Sequence, residues 1–287
     1  MPTATAASAT ALRTGSNGVP VVPVRAFLAL VAAGFRRTTT YRLAALAGVV
    51  ANVTFGYIRG AVLLAVAGAA TVASSGYSAD GLMTYNWLTQ AALGPLAIWG
   101  TTEITERVRN GDIAVDLARP VGLMGTYLAQ DLGRAGASLL LRSVPTVLVG
   151  ALTVGMTMPG TPGPWLLGGV AVLLGLLLSF LSRFLLQLAS FWIVETRGLQ
   201  TLYMVVSGFF AGLVFPLALM PAPLRVAAAA TPFPSMLQHP VDVLSGRITG
   251  GAAWELVGVQ VLWLVVLAVA GHLVLRAGTR RLVVQGG

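Results

Sequence analysis

The stretch "WLLGGVAVLLGLLLSFLSRFLLQLAS", residues 165–190, decides the fold class, because twenty-six residues carry a single charge, Arg183. A hydrocarbon core of about 30 Å needs about 20 helical residues to cross it, and only helices or closed barrels satisfy the backbone in lipid. The run is continuous and does not alternate, so it predicts a membrane-spanning helix and not a barrel strand. Five further runs share this character, at roughly 43–67, 82–102, 138–157, 199–219 and 255–275. The 287 residues are 56% hydrophobic and 9% charged, which takes the chain out of the range of soluble domains. The expectation is an all-α, polytopic membrane protein with six transmembrane helices.

A net charge of +9 invites a nucleic-acid partner, but the placement of the charge argues for a membrane and no nucleic acid. Arg13, Arg25, Arg36, Arg37 and Arg42 precede the first span, and Arg107, Arg109, Arg119 and Arg134 lie between the second and third. Arg197 follows the fourth, and Arg276, Arg280 and Arg281 follow the sixth; the opposite side carries only Arg225 and Arg247. Basic loops stay in the cytoplasm, so both termini are expected there. All 18 basic residues are arginine, and Ala, Gly and Val abound, a composition that fits a GC-rich bacterial genome. The localisation expected is a bacterial cytoplasmic membrane, crossed several times.

Residues 1–21 are small and polar with no apolar h-region, and are expected to be a disordered tail and not a signal peptide; 22–287 form the membrane domain. Phe27, Leu28, Val31 and Phe35 predict a helix lying in the cytoplasmic interface before the first span. That span runs without a break to about Ala73. Between the fifth and sixth spans, 221–250 is rich in proline with an apolar middle, which suits short helices dipping back into the outer leaflet.

Several chemistries lack their residues. There is no cysteine, and only two histidines, His239 and His272, lie far apart, so no metal-ligand spacing exists. Ser235, His239 and Asp242 are the residue types of a hydrolase triad, but a solvated loop histidine is the simpler interpretation. A P-loop needs a lysine on the phosphates, and the chain has none. The acidic residues sit at span ends or in loops, Glu255 at the start of the sixth span, which counts against an ion-coupled carrier with an intramembrane carboxylate relay.

Polar residues do occur in the spans. Asn52 and Arg59 share a face of the first, and Asn86 and Gln90, four apart, share a face of the second. Either they line a substrate path or they bond helix to helix. Arg142 and Arg183 lie near the ends of their spans, from which long side chains snorkel to the surface. Gly208 and Gly212 in the fifth span, and Ala44 and Gly48 in the first, have the spacing of close helix packing.

Charge is concentrated in "ERVRNGDIAVDLARP", residues 106–120. Arg107 stands four residues after Glu103, the spacing of a helical ion pair. Gly111 suits a left-handed helix end, Asp112 a helix cap, and Pro120 disfavours helix at Arg119. Between them a short amphipathic helix is expected, with Ile113 and Leu117 on one face and Asp116 and Arg119 exposed. A stiff, charged helix on the cytoplasmic surface suits docking of a partner.

The same stretch, extended to "RNGDIAVDLARPVGLMGTYLAQDLGRA", resembles the segment after the second span in ABC-2 family ABC transporter permeases. Its G-D-I-x-x-x-L-x-R-P run fits the pattern G-[DE]-[IL]-x-x-x-L-x-[RK]-P of a bacterial subfamily. "FWIVETRGLQ" and "GLVFPLALMPAPLRVAAAATPFPSMLQHPVDVLSG" resemble that subfamily's fifth span and proline-rich turn, and order and spacing agree over 23–280. The resemblance implies a six-helix, non-catalytic permease paired with a second permease, identical or homologous. Two cytoplasmic ATPase subunits, which bind the ATP and Mg, would power it, with no cofactor in this chain. It further implies that the interfacial helix is the connecting helix, that 112–119 is the coupling helix, and that 221–250 is an external re-entrant segment. Asp112, Ile113, Asp116, Leu117 and Arg119 would then couple to the ATPase, while Asn52, Arg59, Asn86 and Gln90 are candidates for the translocation path. Export of a drug, lipid or other amphipathic substrate is the function implied; an ion-coupled carrier or a membrane-embedded enzyme is the alternative.

Overall fold

Pro23 precedes the first turn of α1 (Val24–Thr40), whose apolar residues recur at helical spacing. Tyr41, at φ −95° and ψ 62°, interrupts the helix before α2 (Arg42–Val66). The computed structural model describes residues 22–68, 75–100, 103–119, 121–193 and 195–285. The predicted tail, Pro120 and the stretch around Ala73 lie outside the described residues, and α2 ends at Val66. The described residues contain no strand.

Ser78 caps α3 (Ala79–Leu96), its hydroxyl accepting from the Gly81 N–H at 3.0 Å. Pro95 lies in the last turn, and α3 ends at Leu96, six residues short of the predicted span end at 102, with Ala97 after it in the left-handed conformation. Two short helices follow, α4 (Ile104–Asn110) and α5 (Ile113–Leu117). Then α6 (Leu123–Ser138) passes through a π turn at Leu139–Ser143 into α7 (Val144–Val154). Pro145 explains the irregularity, since proline lacks the N–H for a helical bond and crowds the carbonyl one turn back. The long α8 (Pro162–Leu188) closes with a 3₁₀ turn at Ala189–Phe191.

The fifth predicted span is shorter than expected. Helix α9 (Arg197–Phe210) has 14 residues, and the chain then turns through Gly212 at φ 82°. Gly208 and Gly212 therefore do not share a helix face. A Cβ on Gly212 would meet Gln238 and the Tyr85 hydroxyl, so the glycine serves a tight turn and not a helix dimer. Between 221 and 250 lie α10 (Ala222–Ala229), α11 (Phe233–Met236) and α12 (Gln238–Leu244), and α13 (Gly250–Gln285) completes the described chain.

Four helical stretches among the described residues are long and apolar enough to cross a membrane: Arg42–Val66, Leu123–Val154, Pro162–Phe191 and Gly250–Arg281. The second begins earlier than its predicted span and takes in Asp131, so a carboxylate does occur within a helix of spanning length. Helix α8 is the central element, packing along α13 and against α12. One core joins Tyr85, Leu88, Leu176, Leu237 and Val241; another joins Ile104, Ile113, Leu178, Phe184 and Leu267. Helix α1 lies along α6 at unusually close range. A Cβ on Gly34 would collide with the Gln130 carbonyl, and one on Gly133 with the Val31 carbonyl. On the outer faces of α2 and α13, Leu43, Leu46, Phe55, Leu262, Val265 and Leu273 are exposed, an apolar surface suited to lipid or to other membrane helices.

Candidate functional site

The charged stretch folds as a hairpin of two short helices. Gly111 ends α4 at φ 80°, the left-handed conformation that glycine adopts without strain. Asp112 occupies the position before α5, but its backbone is helical (φ −63°, ψ −19°) and its side chain makes no capping bond. A capping residue normally has extended backbone, which aims its oxygen at the free N–H groups; the predicted cap is therefore absent.

Ile113 is 1% exposed and packs with Ile104 and Leu123. Leu117 is 36% exposed, so it sits at the rim and Ile113 alone anchors the turn. Asp116 was expected on the exposed face, yet it is 9% exposed. Arg107 donates to it twice, from Nε to Oδ2 and, at 2.9 Å, from Nη2 to Oδ1. Tyr127 adds a hydroxyl bond at 3.3 Å, and Arg119 approaches to 3.7 Å. The Asp116 hydrogen bond raises the Arg107 pKa above its usual value. Arg107 is thus not paired with Glu103; Glu103 instead meets Arg37 of α1 at 2.6 Å. The outward face of the hairpin is left to Asp112, Val115, Leu117 and Arg119, all exposed.

Asn52, Arg59, Asn86 and Gln90 do come together, as a seam between α2 and α3. Asn52 Nδ2 donates to the Gln90 carbonyl at 3.1 Å, Asn86 Nδ2 to the Gly56 carbonyl at 2.8 Å, and Arg59 Nη2 to Thr89 Oγ1 at 2.6 Å. Asn52, Asn86 and Gln90 are buried, while Arg59 Nε, Asn86 Oδ1 and Gln90 Oε1 have no partner. None of the four lines the cavity found among the helices.

That cavity, of about 750 Å³, lies among α1, α2, α3 and α6. Arg183 borders it and does not snorkel: the residue is 1% exposed and donates to Asp131 at 2.8 Å. Asp131 also accepts from Arg134 Nε at 2.8 Å, and the rest of the Arg134 guanidinium binds the Gly94 and Pro95 carbonyls at 3.0 and 2.9 Å. The three-residue spacing of Asp131 and Arg134 was the only sign of this cluster in the sequence.

A second polar centre ties α12 to the start of α3. Asp242 accepts from Tyr77 at 2.9 Å, Gln238 at 2.8 Å, and Arg247 twice at 2.7 Å. Tyr85 then bridges Gln238 and the Gly212 carbonyl. No triad forms: Ser235 and His239 are 3.2 Å apart, but none of the Asp242 bonds goes to His239. His239 is half-buried in α12 and not in a solvated loop. Among the described residues, no three His, Cys, Asp or Glu side chains cluster to hold a metal ion.

The family described as "ABC-2 family transporter protein" matches the sequence over residues 61–286. A comparison with curated proteins finds no match.

Proposed function

The chain belongs to the ABC-2 transporter family, and we propose that it is the six-helix permease of an exporter powered by a separate cytoplasmic ATPase. Membership in the family, with several helices of spanning length, makes it a multi-pass membrane protein and a transport subunit that associates with an ATPase. The finer reading is of two permeases, identical or homologous, served by two ATPase subunits that bind the ATP and Mg, all in a bacterial cytoplasmic membrane. In it α3 and α9 complete the six spans, both termini face the cytoplasm, and α10–α12 form the external re-entrant segment. The cargo is a drug, lipid or other amphipathic molecule that passes along the face of the permease, with the Asn52–Arg59–Asn86–Gln90 seam opening as the helices part.

The single observation that carries this reading is the α4–α5 hairpin. Its partly buried ion pair braces a five-residue helix whose exposed side presents Asp112, Val115, Leu117 and Arg119. A braced charged knob transmits motion from a docked partner, as a loose loop does not. The carrier alternative has less support, since the carboxylate of Asp131 is held by two arginines.

The test is co-expression with a P-loop protein encoded beside the gene. The two should co-purify and show vanadate-sensitive ATP hydrolysis, and the isolated permease should show none, having no lysine for a P-loop. Robust hydrolysis by the permease alone would sink the divided assignment.

A further inference from the structure

We propose that the cavity among α1, α2, α3 and α6 binds a phosphate-type anion, the head group of an acidic lipid or a soluble phosphate. The proposal does not depend on the direction of transport or on the ATPase.

Its charge is not balanced. Asp131 neutralises one of the two arginines it touches, Arg134 and Arg183, and Glu103 neutralises Arg37 at the rim. Arg142 also lines the cavity, and its side chain makes no hydrogen bond or ion pair to any described residue; its Nε is buried without a partner. The Nε of Arg183, a side chain only 2% exposed, is likewise unpartnered. Unpaired guanidinium donors in a dry setting are costly. They are also the groups that best match the oxygens of phosphate, in a two-pronged geometry.

Local backbone departs from the regular helix at the same place. Arg142 sits in the π turn at Leu139–Ser143, an irregularity that recurs at functional sites. Across from it the guanidinium lies over Gly48, where a Cβ would overlap Arg142. Ala97, on the cavity wall, is the only non-glycine residue with positive φ among the described residues, at 46°. Held strain of this kind concentrates at binding sites.

Size and position indicate what fits. A volume of about 750 Å³ lies in the range of small-molecule sites and exceeds a bare anion. Beside the arginines one part of the wall is apolar, from Ala33, Ala44, Leu93 and Leu141, while Thr38, Gln130 and Ser138 add neutral polar groups. A charged head between Arg142 and Arg183, with apolar chains against that wall, uses both halves. Basic pockets between membrane helices hold acidic lipid head groups in this way.

The experiment uses the full chain purified in zwitterionic detergent. Native mass spectrometry measures retention of phosphatidylglycerol against phosphatidylcholine for wild type, Arg142→Gln, Arg142→Lys and Ala44→Leu. Wild type should prefer phosphatidylglycerol. Arg142→Gln should lose about tenfold of that preference, as expected for one charge-assisted bond, and Arg142→Lys should restore part of it. Ala44→Leu keeps every charge but narrows the cavity, and should lose the preference too. A thermal shift with inorganic phosphate in lipid-free detergent separates the sources. Stabilisation of wild type but not Arg142→Gln identifies a soluble anion, whereas lipid preference with no phosphate effect identifies the lipid. Wild-type preference in either Arg142→Gln or Ala44→Leu, together with a phosphate response indifferent to Arg142, would overturn the proposal.

Discussion

Arg107 grips the carboxylate of Asp116 at both oxygens, across the left-handed turn at Gly111. A guanidinium and a carboxylate meeting at two points fix orientation as well as distance. The contact sets α5 at one angle to α4, with Ile113 turned into the core and Val115 and Leu117 turned out. It also accounts for the charge crowded between 106 and 120: part of that charge holds the hairpin together from within, and the remainder faces outward.

Asp116→Ala should therefore release the hairpin while leaving the membrane helices folded. The local loss is about 2 kcal/mol, typical of hydrogen bonds between charged groups. Asp112→Ala should be close to neutral for folding, because its side chain makes no capping bond. Pull-down of the ATPase subunit and a transport assay distinguish the two. Asp116→Ala should express and insert normally but bind the ATPase at least several-fold more weakly. Full association and transport in Asp116→Ala would reduce the hairpin to an ordinary charged loop.

The sequence showed most where one physical rule dominates. Apolar runs of spanning length with a single charge each placed α2, the α6–α7 helix, α8 and α13, because burial in lipid outweighs local preference. Gly111 was placed correctly since few residues tolerate its conformation. Long-range pairing was hidden. Glu103 lies at the right spacing for Arg107, but Asp116, nine residues on, wins because it is partly buried and meets both donors of the fork. Asp131 pairs with Arg183, 52 residues on, which only the packing of α8 brings to it. The fifth span read as continuous because nothing in its hydropathy marks the turn at Gly212, which Tyr85 and Gln238 require. In the α2–α3 seam Asn52, Asn86 and Arg59 bond helix to helix, with the Gln90 carbonyl as one acceptor.

Sidedness can be measured without background, as the chain has no cysteine. Val115 and Val226 are 57% and 70% exposed, so a cysteine at either costs little. On intact cells, an impermeant maleimide should label Val226→Cys and should label Val115→Cys only after permeabilisation. Labelling of Val115→Cys from outside would refute the cytoplasmic placement of the hairpin.

Close contact between α1 and α6 depends on Gly34 and Gly133, each facing the other helix's backbone. Gly133→Val has no room to place its side chain, since the obstacle is a main-chain carbonyl. Overpacking typically costs about 1–3 kcal/mol, and here α1 should move away from α6 as a unit. Limited proteolysis should cut near Tyr41 faster in Gly133→Val, whereas Gly136→Ala, where a Cβ meets only Phe35 at 3.9 Å, should behave as wild type. Equal cleavage in all three would show that α1 is not held by this crossing.

Asp242 is saturated by four donors on two oxygens: Tyr77, Gln238 and the two of Arg247. Its side chain is 4% exposed and that of Arg247 27%, so the pair sits largely out of water. Asp242→Asn keeps the volume but replaces one acceptor with an NH₂ donor, which opposes donors already in place. Removing one charge of a buried pair costs about 3–5 kcal/mol; the partial exposure of Arg247 points to the lower end, about 3 kcal/mol. Tyr77→Phe deletes the bond donated to Asp242 and the longer one accepted from Gln238 at 3.2 Å, and spares the ion pair, for about 1–2 kcal/mol. The Tyr77 ring, over which Arg247 also lies at 4.6 Å, remains in the phenylalanine variant. Thermal unfolding of the detergent-purified chain should rank wild type first, Tyr77→Phe second and Asp242→Asn last. The loss should be local at first, exposing the segment from Pro221 to Gly250 to protease before the long helices unfold. If Asp242→Asn melts with wild type, the network contributes nothing to holding α12 against the start of α3.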